Sequence, residues 1–300
     1  MKKVSAFIVF TLCCCTLHSQ PKVSFTFDDG KTADHPPYKL EEWNRMLLDT
    51  LAAHNARAVF FVKGGSLGNE RGLEVLKSWN DAGHLIANHT YSHWNYNTTS
   101  FADYRADFLK NDSLVGQYSN FTPMFRFPYL KEGDNRQKID TFRLFLDSMG
   151  HRNGHVTIDA SDWYIDSRLT RRLKENPAED LSGYKKYYLE HIYNRALFYD
   201  SLAVALTGRQ IHHTLLLHHN LPAGLFMGDL IRMFKEKGWE ITGADEAYKD
   251  EIFNYRPSTV PAGESLVYSL AKESGKFDAI LRYPAEDARY EKEAMDKLGL

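Results

Sequence analysis

Short apolar, β-rich runs alternate with longer amphipathic stretches along most of this 300-residue chain, and that alternation restricts the fold more than any other feature. Candidate strands fall at 23–27, 58–62, 85–87, 124–127, 155–158, 213–217 and 239–242. Between them the spacing predicts helices over 40–54, 70–82, 101–118, 135–149, 178–206 and 223–237. Glycines stand where several of these helices would end, at Gly83, Gly150, Gly208 and Gly238. Strands separated by helix-length connections pair in parallel, with the helices packed outside the sheet. Seven strands in one unbroken series, with no internal repeat and no low-complexity linker, point to an α/β barrel rather than two domains. Two parts exceed a minimal barrel. Residues 165–209 include the strongly helical stretch "LSGYKKYYLEHIYNRALFYDSLAVAL", and the tail after Asp250 carries Pro257, Pro261 and Pro284. The tail is expected to wrap the barrel as an extension over 251–300, leaving 20–250 as the barrel itself.

The first residues carry a separate message. A positive start, "MKK", precedes the apolar run "VSAFIVFTLCCCTL" and then "HSQ". This is the layout of a signal peptide over 1–19, with cleavage after Ser19 and export to the periplasm or the exterior. The run is short for a membrane span, which needs roughly 20 apolar residues, so no stable insertion is expected after cleavage. An uncleaved anchor, or lipid attachment at a cysteine, is the weaker alternative. Cys13, Cys14 and Cys15 all lie in this run, so the mature chain would hold neither a disulfide framework nor a thiol nucleophile. A formal net charge of -2 and the lack of a long basic run give no support for nucleic-acid binding. The 17 Tyr, 18 Phe and 5 Trp suit sugar stacking, but most are expected in the core.

In α/β barrels the reactive groups collect at the C-terminal ends of the strands. Here those ends are polar. The first strand ends in Asp28 and Asp29, the third in "NHTYSH", the fourth in "RFPY", the fifth in "DASDW" and the sixth in "HHN". His89 and His93 are four residues apart, which on a helical turn places both imidazoles on one face, within reach of one metal ion. On a strand they would stand roughly 13 Å apart, too far to chelate together. Two imidazoles and one carboxylate make a familiar site for zinc or a similar divalent ion. A pair of unrelated surface histidines is the plain alternative. Arg126, emerging from a barrel strand, is expected to pair with a carboxylate. Asp159 and Asp162 could simply cap a turn or helix, and either His218 or His219 could be a satisfied core histidine.

Taken together, these motifs resemble the polysaccharide deacetylases, the NodB-homology domain of carbohydrate esterase family 4. Five family motifs occur in order as "TFDDG", "HTYSH", "RFPY", "DASDW" and "LLLHH", across roughly residues 23–244. The resemblance implies a distorted (β/α)7 barrel, and the helical insertion over 165–209 before the last motif departs from the shortest members. It also implies metal-dependent removal of acetyl groups, most often N-acetyl, from a polysaccharide or oligosaccharide by metal-activated water. Carried over by position, Asp29, His89 and His93 would hold the metal, Zn2+ first, with Co2+, Ni2+ or Fe2+ as alternatives. Asp28 would be the base, Arg126 would orient it, and His218 would be the acid. Tyr129 would offer its backbone N–H to the oxyanion, and Asp162 would hold the charged network around Arg126 and His218. Trp163 and Leu216 would wall the pocket for an acetylated glycan.

The sequence departs from the family at His219, where Asp is usual. A neighbouring carboxylate would favour imidazolium at His218, whereas a second histidine would not. His219 is also the alternative acid. Two other functions stand beside the leading one. They are a metal-dependent hydrolase of a non-sugar amide, and a carbohydrate-binding barrel without catalysis.

Overall fold

The computed structural model describes residues 20–300. The expected signal segment 1–19, with its three cysteines, lies outside the described residues. The first strand, Lys22–Asp29, pairs in parallel with Val59–Val62 on one edge and with His212–His218 on the other. Beyond Val59–Val62 follow Leu85–Asn88, Phe121–Phe125 and Arg152–Asn153, all parallel. This curled parallel sheet with helices is of the distorted (β/α)7 barrel type.

Two distortions depart from the expected series of staves. The fifth strand, expected at 155–158, pairs regularly only at Arg152–Asn153, and Ile158 then makes a single parallel bridge to Leu215. One irregular segment therefore touches the fourth strand at its start and the sixth at its end. The reason lies in its carbonyls. That of His155 accepts from Tyr248 Oη and from Thr214 Oγ1, each at 3.0 Å. That of Val156 accepts from Leu266 N at 2.7 Å. Acceptors engaged in this way are not free for a strand ladder. The last short strand, Glu240–Ile241, pairs with Lys22 and Val23, on the edge that Val59–Val62 takes further along.

The first strand is buried along nearly its whole length, as a stave covered on both sides must be. Val23, Phe25 and Phe27 join the main core, while Thr26 and Asp28 reach the guanidinium of Arg126. Helix Leu40–Ala53 buries Leu40, Trp43, Asn44, Leu47 and Leu51, a helical stripe of period 3.6. A second cluster, among them Tyr96, Tyr104, Phe108, Phe125, Phe127 and Phe142, absorbs many of the aromatics.

The insertion holds two helices rather than one. Ser182–Thr207 answers to the expected 178–206, but Asp162–Glu175 precedes it. The charge-rich "DWYIDSRLTRRLKE" hides its apolar stripe, which is only Ile165, Leu169 and Leu173 at four-residue spacing. The tail also carries two helices, Leu266–Ser274 and Ala288–Lys297. It is tied down where Ala262–Gly263 pairs antiparallel with Lys131–Gly133. Leu266, Val267, Ala271 and Met295 enter the main core. Among the described residues no helix is long and apolar enough to cross a membrane.

Candidate active site

Strand alternation sends neighbouring side chains to opposite faces, so Asp28 and Asp29 should diverge. They do not, because the chain leaves the extended conformation between them. Asp29 has φ 75°, and both carboxylates line one cavity of ≈ 440 Å³. Gly30 follows at φ 105°, and a Cβ there would lie 2.4 Å from Leu67 Cδ1, so the turn admits glycine alone.

His89 and His93 meet Asp29 at the cavity floor, with one ligand atom from each residue within 4.8 Å of the others. His93 Nε2 is 3.1 Å and His89 Nε2 3.7 Å from Asp29 Oδ1. The helical turn expected for the two histidines is absent. Third-strand pairing ends at Asn88, and a loop with left-handed Thr90 (φ 61°) and His93 (φ 60°) follows. His93 N–H donates to Thr90 Oγ1 at 3.0 Å, and Thr90 N–H to Asn88 Oδ1 at 2.9 Å. The tight loop, rather than a helix face, brings the imidazoles together.

This donor set fits a divalent cation. His89 Nδ1 lies 2.8 Å from the Arg126 carbonyl, which makes Nδ1 the donor and leaves Nε2 as a lone pair facing the cavity. Burial holds both imidazoles down at about 4, in the neutral form that binds metal. Burial opposes ionisation of Asp29, but its histidine neighbours and Lys63 keep its carboxyl down at about 2. Asp29 Oδ1 is buried without a hydrogen-bond donor, as an oxygen reserved for a cation would be.

Asp28 stands beside this triad. Its Oδ1 takes Arg126 NH1 at 2.5 Å, and its Oδ2 is 3.7 Å from His89 Nε2. Arg126 is wholly buried and fully engaged. It donates to Thr26 Oγ1 at 2.9 Å, to the Gly154 carbonyl at 2.8 Å and to Tyr248 Oη at 3.0 Å, with its guanidinium 3.8 Å from the Phe61 ring centroid. A charge taken out of water needs this full complement of partners. Burial raises Asp28 to about 6 in spite of Arg126.

His218 lies across the ladder from Asp28, as its register partner on the neighbouring strand. Its Nδ1 contacts Asp162 Oδ1 at 2.7 Å, and its own backbone N–H donates to Asp162 Oδ2 at 2.8 Å. Asn220 Nδ2 donates to the same Oδ2 at 2.9 Å. Burial disfavours the imidazolium, but Asp162, with Asp29 and Asp28, pushes His218 up to about 9. Asp162 thus serves His218, and its expected link to Arg126 is not among the contacts. Tyr248 takes that place.

His219 is no acid. It is fully buried on the opposite face of its strand, against Trp43, Phe60 and Trp79. Lys31 N–H donates to its Nδ1 at 3.1 Å, so its Nε2–H donates to Asn44 Oδ1 at 3.0 Å. Burial lowers it to about 3. The carboxylate beside His218 comes from Asp162 instead of from the next residue along the chain.

Leu216, Trp163 and Tyr129 also line the cavity. Tyr129 sits at φ 57°, half exposed, with its ring centroid 4.5 Å from that of His93. The same cavity is lined by residues that the sequence did not mark as site residues, among them Lys131, Glu264, Pro284, Glu286 and Asp287. The last four belong to the tail, and no motif marks them. His213 is buried beside Thr157 and Asp200, away from the cavity.

A family model described as polysaccharide deacetylase matches residues 17–142. A peptidoglycan-N-acetylglucosamine deacetylase of Bacillus cereus is 31% identical over 130 residues, covering 43% of this chain and 44% of that protein. A chitin deacetylase of Colletotrichum lindemuthianum is 33% identical over 112 residues, covering 36% of this chain and 42% of that protein. Each match therefore spans less than half of the relative's length. The crystal structure of the Bc1960 peptidoglycan N-acetylglucosamine deacetylase superposes with a TM-score of 0.53 at 20% identity, covering 77% of this chain and 92% of that chain.

Proposed function

We propose that this chain, whose residues 17–142 match the polysaccharide deacetylase family model, is an exported, metal-dependent hydrolase of acetyl groups on a glycan, N-acetyl before O-acetyl. One observation carries this reading. A two-histidine, one-carboxylate cluster shares a single cavity with Asp28 and His218, which are backed by the buried Arg126 and Asp162. The export part rests on the sequence of 1–19. The glycan part draws on relatives named for peptidoglycan and chitin.

Asp29, His89 and His93 would hold the ion, Zn2+ first, with Co2+, Ni2+ or Fe2+ able to replace it. Bound there, such an ion polarises a carbonyl and lowers the pKa of water, to roughly 7 in favourable zinc sites. The remaining work belongs to the chain. Asp28 takes a proton from the attacking water, and Arg126 fixes the carboxylate in place. The Tyr129 N–H stabilises the developing oxyanion. His218, kept charged by Asp162, gives its proton to the leaving nitrogen, since an amine leaves poorly as an anion. Leu216 and Trp163 pack against the acetyl group and the sugar.

The test is acetate release from a panel of chitin oligomers, peptidoglycan and acetylated xylan, with metal content measured on the same sample. Exhaustive chelation should abolish release, and Zn2+ should restore it. Asp29→Asn should lose the ion. Asp28→Asn should keep the ion and lose at least about 100-fold in turnover, the range of general-base catalysis. Undiminished release after complete metal removal would refute the mechanism. Loss of turnover in Asp28→Asn together with its metal would reverse the two roles.

A further inference from the structure

Three carboxyl groups meet where the tail lines the cleft: Asp159, Glu264 and Glu286. Two have partners. Glu264 pairs with Lys131 and accepts the Ala285 N–H at 3.1 Å. Glu286 pairs with Arg195 at 2.6 Å and Arg282 at 2.7 Å, and Ser161 Oγ donates to it at 3.2 Å. Asp159 is different. It is only 6% exposed and lines the cleft, yet among the described residues nothing forms a hydrogen bond or ion pair with its side chain. A buried carboxyl left without a partner costs stability unless water or a ligand completes it.

The surroundings indicate which ligand. Burial, then Glu286 and Glu264, hold the Asp159 carboxyl well above the usual carboxylate range, which favours its protonated form, both donor and acceptor. The cleft also contains the charged His218. On this wall Glu264 and Glu286 are already paired with Lys131, Arg195 and Arg282, so a cationic amino group finds no free carboxylate there to set against the charge of His218. A neutral polar group meets no such penalty.

We propose that Asp159 is a substrate-binding residue that hydrogen-bonds a hydroxyl or acetamido group of a neutral, N-acetylated sugar, in a subsite completed by the tail residues Glu264 and Glu286. This rests on the deacetylase reading and adds the recognition of the sugar to it. Water fills the role of the sugar group when the subsite is free, and substrate displaces it.

The experiment compares the metal-loaded wild type with Asp159→Asn, Asp159→Leu and, should leucine not fit, Asp159→Ala. Binding of tetra-N-acetylchitotetraose and of the corresponding glucosamine tetramer is measured by calorimetry. Acetate release gives kcat and KM, and Tm reports folding. Asparagine keeps a donor and an acceptor, so Kd and KM should stay within about threefold of wild type. Leucine or alanine should raise both about tenfold, the worth of one buried neutral hydrogen bond, with kcat and Tm little changed. Wild-type affinity in the apolar variants, or equal loss in Asp159→Asn, would overturn the proposal. So would tighter, Asp159-dependent binding of the glucosamine tetramer. If the wild type binds the acetylated tetramer without releasing acetate, and Asp159→Leu loses that binding, the subsite stands and the deacetylase reading falls. If the wild type releases acetate and the apolar variants keep its KM, only the subsite falls. If it neither binds nor cleaves, both fall.

Discussion

Backbone conformation at single residues does much of the work in this cleft. Asp29, Thr90, His93, Tyr129, Leu130 and Glu264 all have positive φ, and each lines the cavity or sits between residues that do. For non-glycine residues this conformation costs on the order of 1–3 kcal/mol each, and such residues cluster at functional sites. Residue type foretells little of it, since only Asp29 and His93 of the six are of kinds enriched in the left-handed region. The electrostatics are equally local. His218 is raised to about 9, so its contribution to stability is fully present below about 6.5 and is lost as pH rises through about 9. An acid in this state supports turnover up to the same limit. In Asp162→Asn, burial prevails over the lost carboxylate, and the alkaline limb of kcat against pH should move to lower pH, with lower activity at neutrality. A limb that stays in place would remove His218 as the acid.

The strand His212–His218 ends on the first of two neighbouring histidines, and the two side chains go to opposite sides. Alternation along it turns His218 into the cleft and His219 outward among the helices. The adjacent pair was legible in the sequence, and the likeness of the two residues hid the division. His219 now reads as a polar pin between Lys31 N–H and Asn44 Oδ1. His219→Leu strands the Lys31 N–H, while Asn44 Oδ1 keeps the Trp79 Nε1–H at 2.9 Å, and should cost about 1–3 kcal/mol in denaturant unfolding, from one group left unsatisfied. Metal content should be unchanged, because no metal-ligand candidate touches this ring. A loss of metal without a loss of stability would contradict this placement. The irregular fifth strand shows the converse. Its β-rich sequence predicted regular pairing at 155–158, but Tyr248, Thr214 and Leu266 claim its carbonyls.

At the scale of the molecule, the tail is part of the barrel's construction. It completes the fifth strand through Leu266 N–H, supplies core residues and forms one side of the cleft. Barrel and tail should therefore unfold together. Leu266→Ala, at a site only 1% exposed, is expected to lower stability by about 2–5 kcal/mol, the usual range for a buried leucine. The variant should show a single transition by both far-UV circular dichroism and tryptophan fluorescence. A separate early transition for the tail, with the barrel's midpoint unmoved, would show 251–300 to be an independent appendage.

What the sequence determined by itself was whatever rests on local periodicity and short spacing: parallel strands alternating with helices, and polar residues at the strand ends. It also placed Asp28, Asp29, His89, His93, Arg126, Tyr129, Asp162, Trp163, Leu216 and His218 in motifs that reach one cleft. Tertiary structure alone decided how they meet. Asp29 reaches the cleft through a left-handed turn, the histidines converge through a loop, and Asp162 answers His218 from 56 residues away. It also brought Tyr248 to Arg126 and Asp159, Glu264 and Glu286 to one wall. The physical reason is range. Side-chain periodicity is imposed by neighbours a few residues apart, whereas partners for buried charges are recruited from any segment that packing brings close. No short-range pattern records that recruitment.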